Sequence, residues 1–274
     1  MNRKFLAILA LILTVTLALP MTVQAASNAS KLNAITKLSQ AAKYDAALPK
    51  KGAKKSTEKK VAALRKKIKY KVPGKGPTTY AYSLTFTKSD PKGKINSAEK
   101  TKEWYEYNSK NSTRKSYEES IDLYDFANTP STRCFIRKQD KKIYEYWSWT
   151  KGATNGYYSK NNIGGGGSSS WKDSNYTVYP DAKVLGQKCF VYSYDSKSGS
   201  TKYTYYNYVS RKTGGTIKRV SVSGNYIRTT ITFDCKLMKA VNFYTPPANV
   251  TFNTDSIRSD NITRQFELLQ DMAS

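Results

Sequence analysis

Thr132-Arg-Cys-Phe-Ile-Arg-Lys-Gln-Asp-Lys-Lys-Ile-Tyr-Glu-Tyr-Trp-Ser-Trp-Thr150 decides the fold class of this 274-residue chain. Two runs rich in aromatic and β-branched residues flank the polar Gln139-Asp140-Lys141. In the second run Trp147 and Trp149 fall on one side of an extended backbone, and Tyr144 and Tyr146 on the other. This period of two, interrupted by a turn-length polar gap, reads as an antiparallel hairpin.

The same pattern extends in both directions. Tyr80, Tyr82, Leu84 and Phe86 occupy one face of an earlier strand; Trp104, Tyr105 and Tyr107 mark a second, and a third runs from Thr113 to Glu119. Downstream, Cys189 to Tyr194, Lys202 to Ser210, Thr216 to Ser223 and Tyr226 to Asp234 form a meander. Its turns are carried by Ser198-Gly199, Gly214-Gly215 and Gly224-Asn225. At least eight strands with hairpin-length links predict a mainly β (α+β) chain built on one large curved antiparallel sheet or barrel. Leu84, Phe86, Trp147, Val191, Val220, Ile231 and Phe233 are its expected core.

Upstream of Pro73 the pattern changes. Residues 1–25 carry Asn2-Arg3-Lys4, an apolar run from Phe5 to Leu19, and Val23-Gln24-Ala25 with small residues at the cleavage positions, which reads as a Sec-type signal peptide. The expected product is exported, extracellular, periplasmic or associated with the cell envelope. Residues 26–72 read as a Lys-rich helical arm and residues 73–274 as the β domain. In the arm Leu32, Ile35, Leu38 and Ala42, then Val61, Leu64 and Ile68, recur at helical spacing. Asp255 to Met272 has the periodicity of a terminal helix, one that covers the sheet or makes contacts elsewhere. Ile163-Gly-Gly-Gly-Gly-Ser-Ser-Ser170 lacks the Lys-Ser/Thr and helix start of a phosphate loop and reads as a surface loop.

Charge and composition narrow the chemistry. The chain has 46 Lys and Arg against 20 Asp and Glu, a net charge of +26, and no His. Loss of Arg3 and Lys4 with the signal leaves about +24, and fourteen basic residues against Asp45 and Glu58 lie between Lys31 and Lys71. Without imidazole, Ser-His-Asp and Cys-His nucleophiles and His-ligated metals are excluded. Glu118, Glu119, Asp122 and Asp125 are the one acidic cluster, read as partners for surface cations rather than as a hydrolase pair or a calcium loop. No cofactor or metal is expected. Of Cys134, Cys189 and Cys235, Cys189 with Cys235 is the pairing favoured if a disulfide forms, against individual burial of the thiols.

Large side chains on both faces of the strands require that both be covered, by core on one side and by helices, a ligand or a partner on the other. Trp147, Trp149, Tyr206 and Tyr208 are the candidates beside a hydrophobic ligand. Lys50, Lys51, Lys54, Lys55, Lys59, Lys60, Lys66 and Lys67 are the candidates for an anionic surface, unless the arm packs on the domain with its lysines merely solvated. Nucleic acid is not an expected partner of an exported chain.

Several of these stretches resemble the LolA-type family of exported lipoprotein carriers and its LolA/LolB/LppX-like relatives, over about residues 78–252. Thr132 to Tyr146 is similar to the family's strand, polar turn and strand; Val184-Leu-Gly-Gln-Lys-Cys-Phe-Val-Tyr192 resembles another of its strands. Tyr206-Asn-Tyr-Val-Ser-Arg-Lys-Thr-Gly214 with Thr216-Ile-Lys-Arg219 is similar to its Thr-Gly hairpin, and Val241 to Phe252 to its closing stretch. Tyr206 or Tyr208 stands where the family carries Trp, and the Lys-rich arm has no counterpart. The resemblance implies an unclosed half-barrel wrapped around helices, with an apolar concavity for acyl chains. The expected function is a non-enzymatic binding protein holding a lipid, a lipoprotein acyl chain or another amphiphile at the envelope. The alternative is a cationic adhesive or structural protein binding anionic wall polymer or a membrane surface.

Overall fold

The computed structural model describes residues 28–110, 112–124, 131–162, 174–198 and 200–254. The expected signal peptide, the glycine-rich loop at 163–170, the terminal helix from Asp255 and the acid Asp125 lie outside the described residues. The chain is mainly β. Its strands are β1 (Lys54–Lys55), β2 (Thr78–Lys88), β3 (Ser97–Asn108), β4 (Thr113–Leu123), β5 (Thr132–Gln139), β6 (Ile143–Thr150), β7 (Asn155–Asn162), β8 (Ser174–Val184), β9 (Gln187–Ser198), β10 (Thr201–Ser210), β11 (Thr216–Ser223), β12 (Tyr226–Met238) and β13 (Thr251–Asn253).

All thirteen belong to one sheet, in the order β1-β8-β9-β10-β11-β12-β2-β3-β4-β5-β6-β7-β13. The sheet does not close; it ends on β1 and β13, each only two or three residues long, which limits the exposed pairing edge. β2 is the keystone, since one antiparallel meander runs outward from it through β7 while β8 to β12 return to its other side. Among the described strands, only β13 pairs in parallel.

The hairpin at 132–150 forms as read. Asp140 closes it: its carboxylate accepts from the amides of Lys142 and Ile143, both at 2.7 Å. Gly224, at φ +56°, supplies the positive backbone angle in the two-residue link between β11 and β12. The strands not foreseen are β1, β7, β8 and β13. β7 reads Asn-Gly-Tyr-Tyr-Ser-Lys-Asn-Asn and is recruited by pairing with β6, where Tyr158 stacks on Trp147 at 4.9 Å. β8 contains Pro180 and two register shifts, tolerated because little of its outer edge is paired.

Cross-strand register divides the sheet into two faces. Face A carries Val191, Tyr208, Val220, Ile231, Leu84 and Phe86, and face B carries Tyr192, Asn207, Thr230 and Thr85. The arm packs on both. Helical residues 28–33 place Leu32 on face A, joined by Ile35, and both are fully buried against Tyr82, Leu84, Phe86, Ile231 and Phe233. The chain then follows the edge as β1 and returns on face B as the helix Glu58–Lys66, whose Val61 packs with Phe190, Tyr192 and Val209. Polar ties fix both halves: Lys88 Nζ meets Asp45 at 2.7 Å, Tyr82 donates to Asn33 at 2.7 Å, and the Lys71 amide donates to the Thr213 carbonyl at 2.7 Å. The arm is thus part of the core rather than an appendage to it.

Two expectations change in the tertiary structure. Residues 34–37 break the first helix, with the Gln40 side chain accepting from the Thr36 amide at 2.6 Å. The break shifts the helical phase, so Ala41, not Ala42, is buried. The second change concerns the disulfide. A bulge between Thr232 and Asp234 inserts one residue into β12, so Ile231 and Phe233 bury on face A while Cys235, opposite Ala81, turns to face B. Cys189 packs on face A beside Val191 and Tyr208. The two cysteines lie three strands apart on opposite faces, about 14 Å along the sheet. No cross-link between them is sterically feasible, and all three cysteines are free thiols.

Candidate functional site

The four aromatic candidates share face A but not a location. Trp147 and Trp149 on β6 are separated from Tyr206 and Tyr208 on β10 by seven strand steps, about 33 Å along the sheet. Tyr208 is 4% exposed and belongs to the core with Cys189, Val191 and Val220, and the Lys218 ammonium lies 5.3 Å from its ring centre. Tyr206 packs against Tyr179 at 6.0 Å. Burial pushes both hydroxyls up to about 12. Trp147 is half-buried instead of central to the core: Tyr158 covers one side, and Lys138 Nζ lies 5.0 Å from its ring. Trp149 meets Phe252 edge-on at 5.8 Å and stacks beside Tyr117 at 6.3 Å.

The acidic cluster is dispersed by strand alternation. Glu118 points to face B and pairs with Arg137 at 2.7 Å, whereas Glu119 points to face A, where it accepts from Tyr117 at 3.0 Å and pairs with Lys151 at 3.1 Å. Asp122 pairs with Arg133 at 2.6 Å. Each described member thus has a cationic partner, and Glu118 and Glu119 cannot face one substrate. Glu118 does have a carboxyl neighbour, Glu103, directly opposite on β3. Burial first, then the charge of Glu118, hold the Glu103 carboxyl above its ordinary range, while Arg137 pulls it down.

Four of the eight lysine candidates converge. All eight are exposed, and Lys54, Lys55, Lys60 and Lys67 line one groove of about 380 Å³. Its geometry follows from local structure. Lys60, Ala63, Leu64 and Lys67 are spaced i, i+3, i+4 and i+7 on the helix Glu58–Lys66 and its C-cap, which places them on one helical face. Thr57 caps that helix, accepting from the Lys60 amide at 3.3 Å, and Glu58 and Arg65–Lys66 lie at the ends that favour their charges. β1 supplies Lys54 and Lys55 by pairing with Val178 and Thr177, and Val178 joins Ala63 and Leu64 in the apolar floor. Gly52 sets the entry to β1: its φ is +69°, and a Cβ there would lie 2.7 Å from Pro180.

Leu64 explains why sequence periodicity did not reveal this site. It lies on the apolar stripe with Val61 and Ile68, yet they pack on face B while Leu64 stays 40% exposed and floors the groove. Lys50, Lys51, Lys59 and Lys66 do not line it. The lining of this shallow groove is largely apolar, contributed in part by the stems of four lysines, and Lys50 to Lys71 holds eleven cationic side chains against Glu58 alone, a local charge that favours an anionic partner. No helix among the described residues is long and apolar enough to cross a membrane. No protein-family model matches this chain, and no sequence match to a characterised protein reaches significance.

Proposed function

We propose that this protein is an exported, non-enzymatic binding protein that holds the anionic groups of a cell-envelope polymer in the groove between β1 and the helix Glu58–Lys66. The observation that carries this reading is the convergence of Lys54, Lys55, Lys60 and Lys67 on one cleft. Packing of the arm on both faces of the sheet supports it, because lysines mounted on ordered backbone lose less conformational entropy on binding than lysines on a free tail. The test is binding to an anionic wall polymer, such as a poly(glycerol phosphate), across a salt series. Affinity is expected to fall steeply with salt and to drop at least tenfold in the Lys54→Glu/Lys60→Glu variant. Equal binding by the variant overturns the reading.

The amphiphile reading is supported at a different place. On face A of the other half-sheet, Trp104, Tyr117 and Trp149 form an aromatic row beside Phe243, which is 45% exposed. An acyl chain laid there would contribute about 0.8 kcal/mol per buried methylene. Native mass spectrometry of protein from its own host, with extraction of whatever co-purifies, tests it: a stoichiometric lipid supports this reading, and an empty protein counts against it.

A further inference from the structure

The arm exposes large apolar side chains where its charge is densest. Along the helix Glu58–Lys66 and the turn after it, Val61, Arg65 and Ile68 are spaced i, i+4 and i+7 and face the sheet. Val61 and Ile68 pack with Phe190 and Tyr192, and Arg65 donates to the Tyr192 hydroxyl at 3.2 Å. Leu64 lies beside that stripe and is 40% exposed; Tyr70, six residues on, is 63% exposed. Exposed lysines bracket both, Lys60 and Lys67 around Leu64 and Lys69 and Lys71 around Tyr70.

The backbone beneath these side chains is fixed. The Lys71 amide donates to the Thr213 carbonyl at 2.7 Å. The arm also passes close to Gly214, where a Cβ would lie 2.9 Å from both the Tyr70 Cα and the Lys69 carbonyl oxygen. Leu64 and Tyr70 are thus presented to solvent from an ordered platform, which lowers the entropy lost when they are covered.

A dissolved polyanion satisfies the lysines and leaves Leu64 and Tyr70 in water. A bilayer containing anionic lipid satisfies both, because lysine stems lie along apolar surface while their ammonium groups reach phosphates, and tyrosine rings settle at headgroup depth. From this juxtaposition we infer that the outer face of the arm docks on an anionic lipid bilayer, with Leu64 and Tyr70 entering the headgroup region between the lysines. Charge complementarity favours that partner, since eleven cations stand against Glu58 alone between Lys50 and Lys71. The inference rests on the anionic reading of the groove and adds the lipid surface at which the groove works.

The experiment sediments the mature protein with vesicles of equal parts phosphatidylglycerol and phosphatidylcholine, and with vesicles of phosphatidylcholine alone, across a salt series. Soluble poly(glycerol phosphate) is titrated in parallel. The phosphatidylglycerol vesicles are expected to bind at least tenfold more tightly than phosphatidylcholine, and to release the protein as salt rises. Leu64→Ser/Tyr70→Ser is expected to lose about tenfold for the vesicles and nothing for the soluble polymer, the scale of partly burying two apolar side chains. Lys54→Glu/Lys60→Glu is expected to weaken both. In Leu64→Trp, the fluorescence added over the unaltered protein is expected to shift to the blue on the vesicles and to be quenched by brominated phosphatidylglycerol. Vesicle binding that Leu64→Ser/Tyr70→Ser retains in full overturns the inference. Binding of the polymer without preference for phosphatidylglycerol vesicles also overturns it, and leaves the polymer reading standing. Binding of neither overturns both.

Discussion

Single residues in this protein are governed by which face of the sheet they reach. Burial pushes the Cys189 and Cys235 thiols up to about 11 and raises Cys134 as well. Native protein at pH 8 is therefore expected to react slowly with a thiol reagent, and denatured, unreduced protein to release three equivalents; a single equivalent would mean that a disulfide forms after all. Lys88 is 7% exposed and depends on Asp45 and the Pro91 carbonyl. Asp45→Ala leaves that ammonium buried without its countercharge and is expected to cost about 3 kcal/mol by denaturant unfolding, most of it recovered in Asp45→Ala/Lys88→Met. Glu103 faces Glu118, with Arg137 beyond it, and its raised carboxyl binds a proton more tightly in the folded than in the unfolded chain. Its contribution to stability is full below the ordinary value of 4.5 and is lost as pH rises through the folded value. Glu103→Gln should accordingly raise Tm at pH 7 and leave it unchanged at pH 4.

Among the elements, the arm is the one whose role depends most on its surroundings. Its helices are too short to persist alone, so their order derives from the sheet. Ile35 is fully buried against face A, and Ile35→Ala is expected to cost about 3 kcal/mol, lowering Tm by about 6–12 °C. Val61→Asp, which places a charge against Phe190 and Tyr192, is expected to detach the helix Glu58–Lys66, detected as new proteolytic cleavage between Lys59 and Lys67 with the sheet intact. The strand pattern from β2 to β6 and from β9 to β12 was legible because a period of two sustained over eight or more residues matches a half-buried strand and not the 3.6-residue repeat of a helix. β7 and β8 were not, since Asn-Gly and Pro180 are turn signals that pairing partners overrode.

At the scale of the molecule, a chain of net charge +26 concentrates eleven cations in one short stretch and wraps that stretch around the edge of its sheet. Charge of one sign on an ordered surface implies association that weakens with salt. The sequence by itself determined the β class, the strand polarity of the Trp and Tyr residues, the Lys-rich segment and the absence of imidazole chemistry, because period-two patterning and composition are local properties. It also contained the Lys60, Ala63, Leu64 and Lys67 spacing, although nothing local marked Leu64 as a floor rather than core. Only the tertiary structure decided that Trp147 and Trp149 lie far from Tyr206 and Tyr208, that one inserted residue in β12 turns Cys235 away from Cys189, and that β1 brings Lys54 and Lys55 to the helix. Strand order, bulges and edge pairing are set by contacts between residues distant in the chain, and a linear pattern carries no record of those distances.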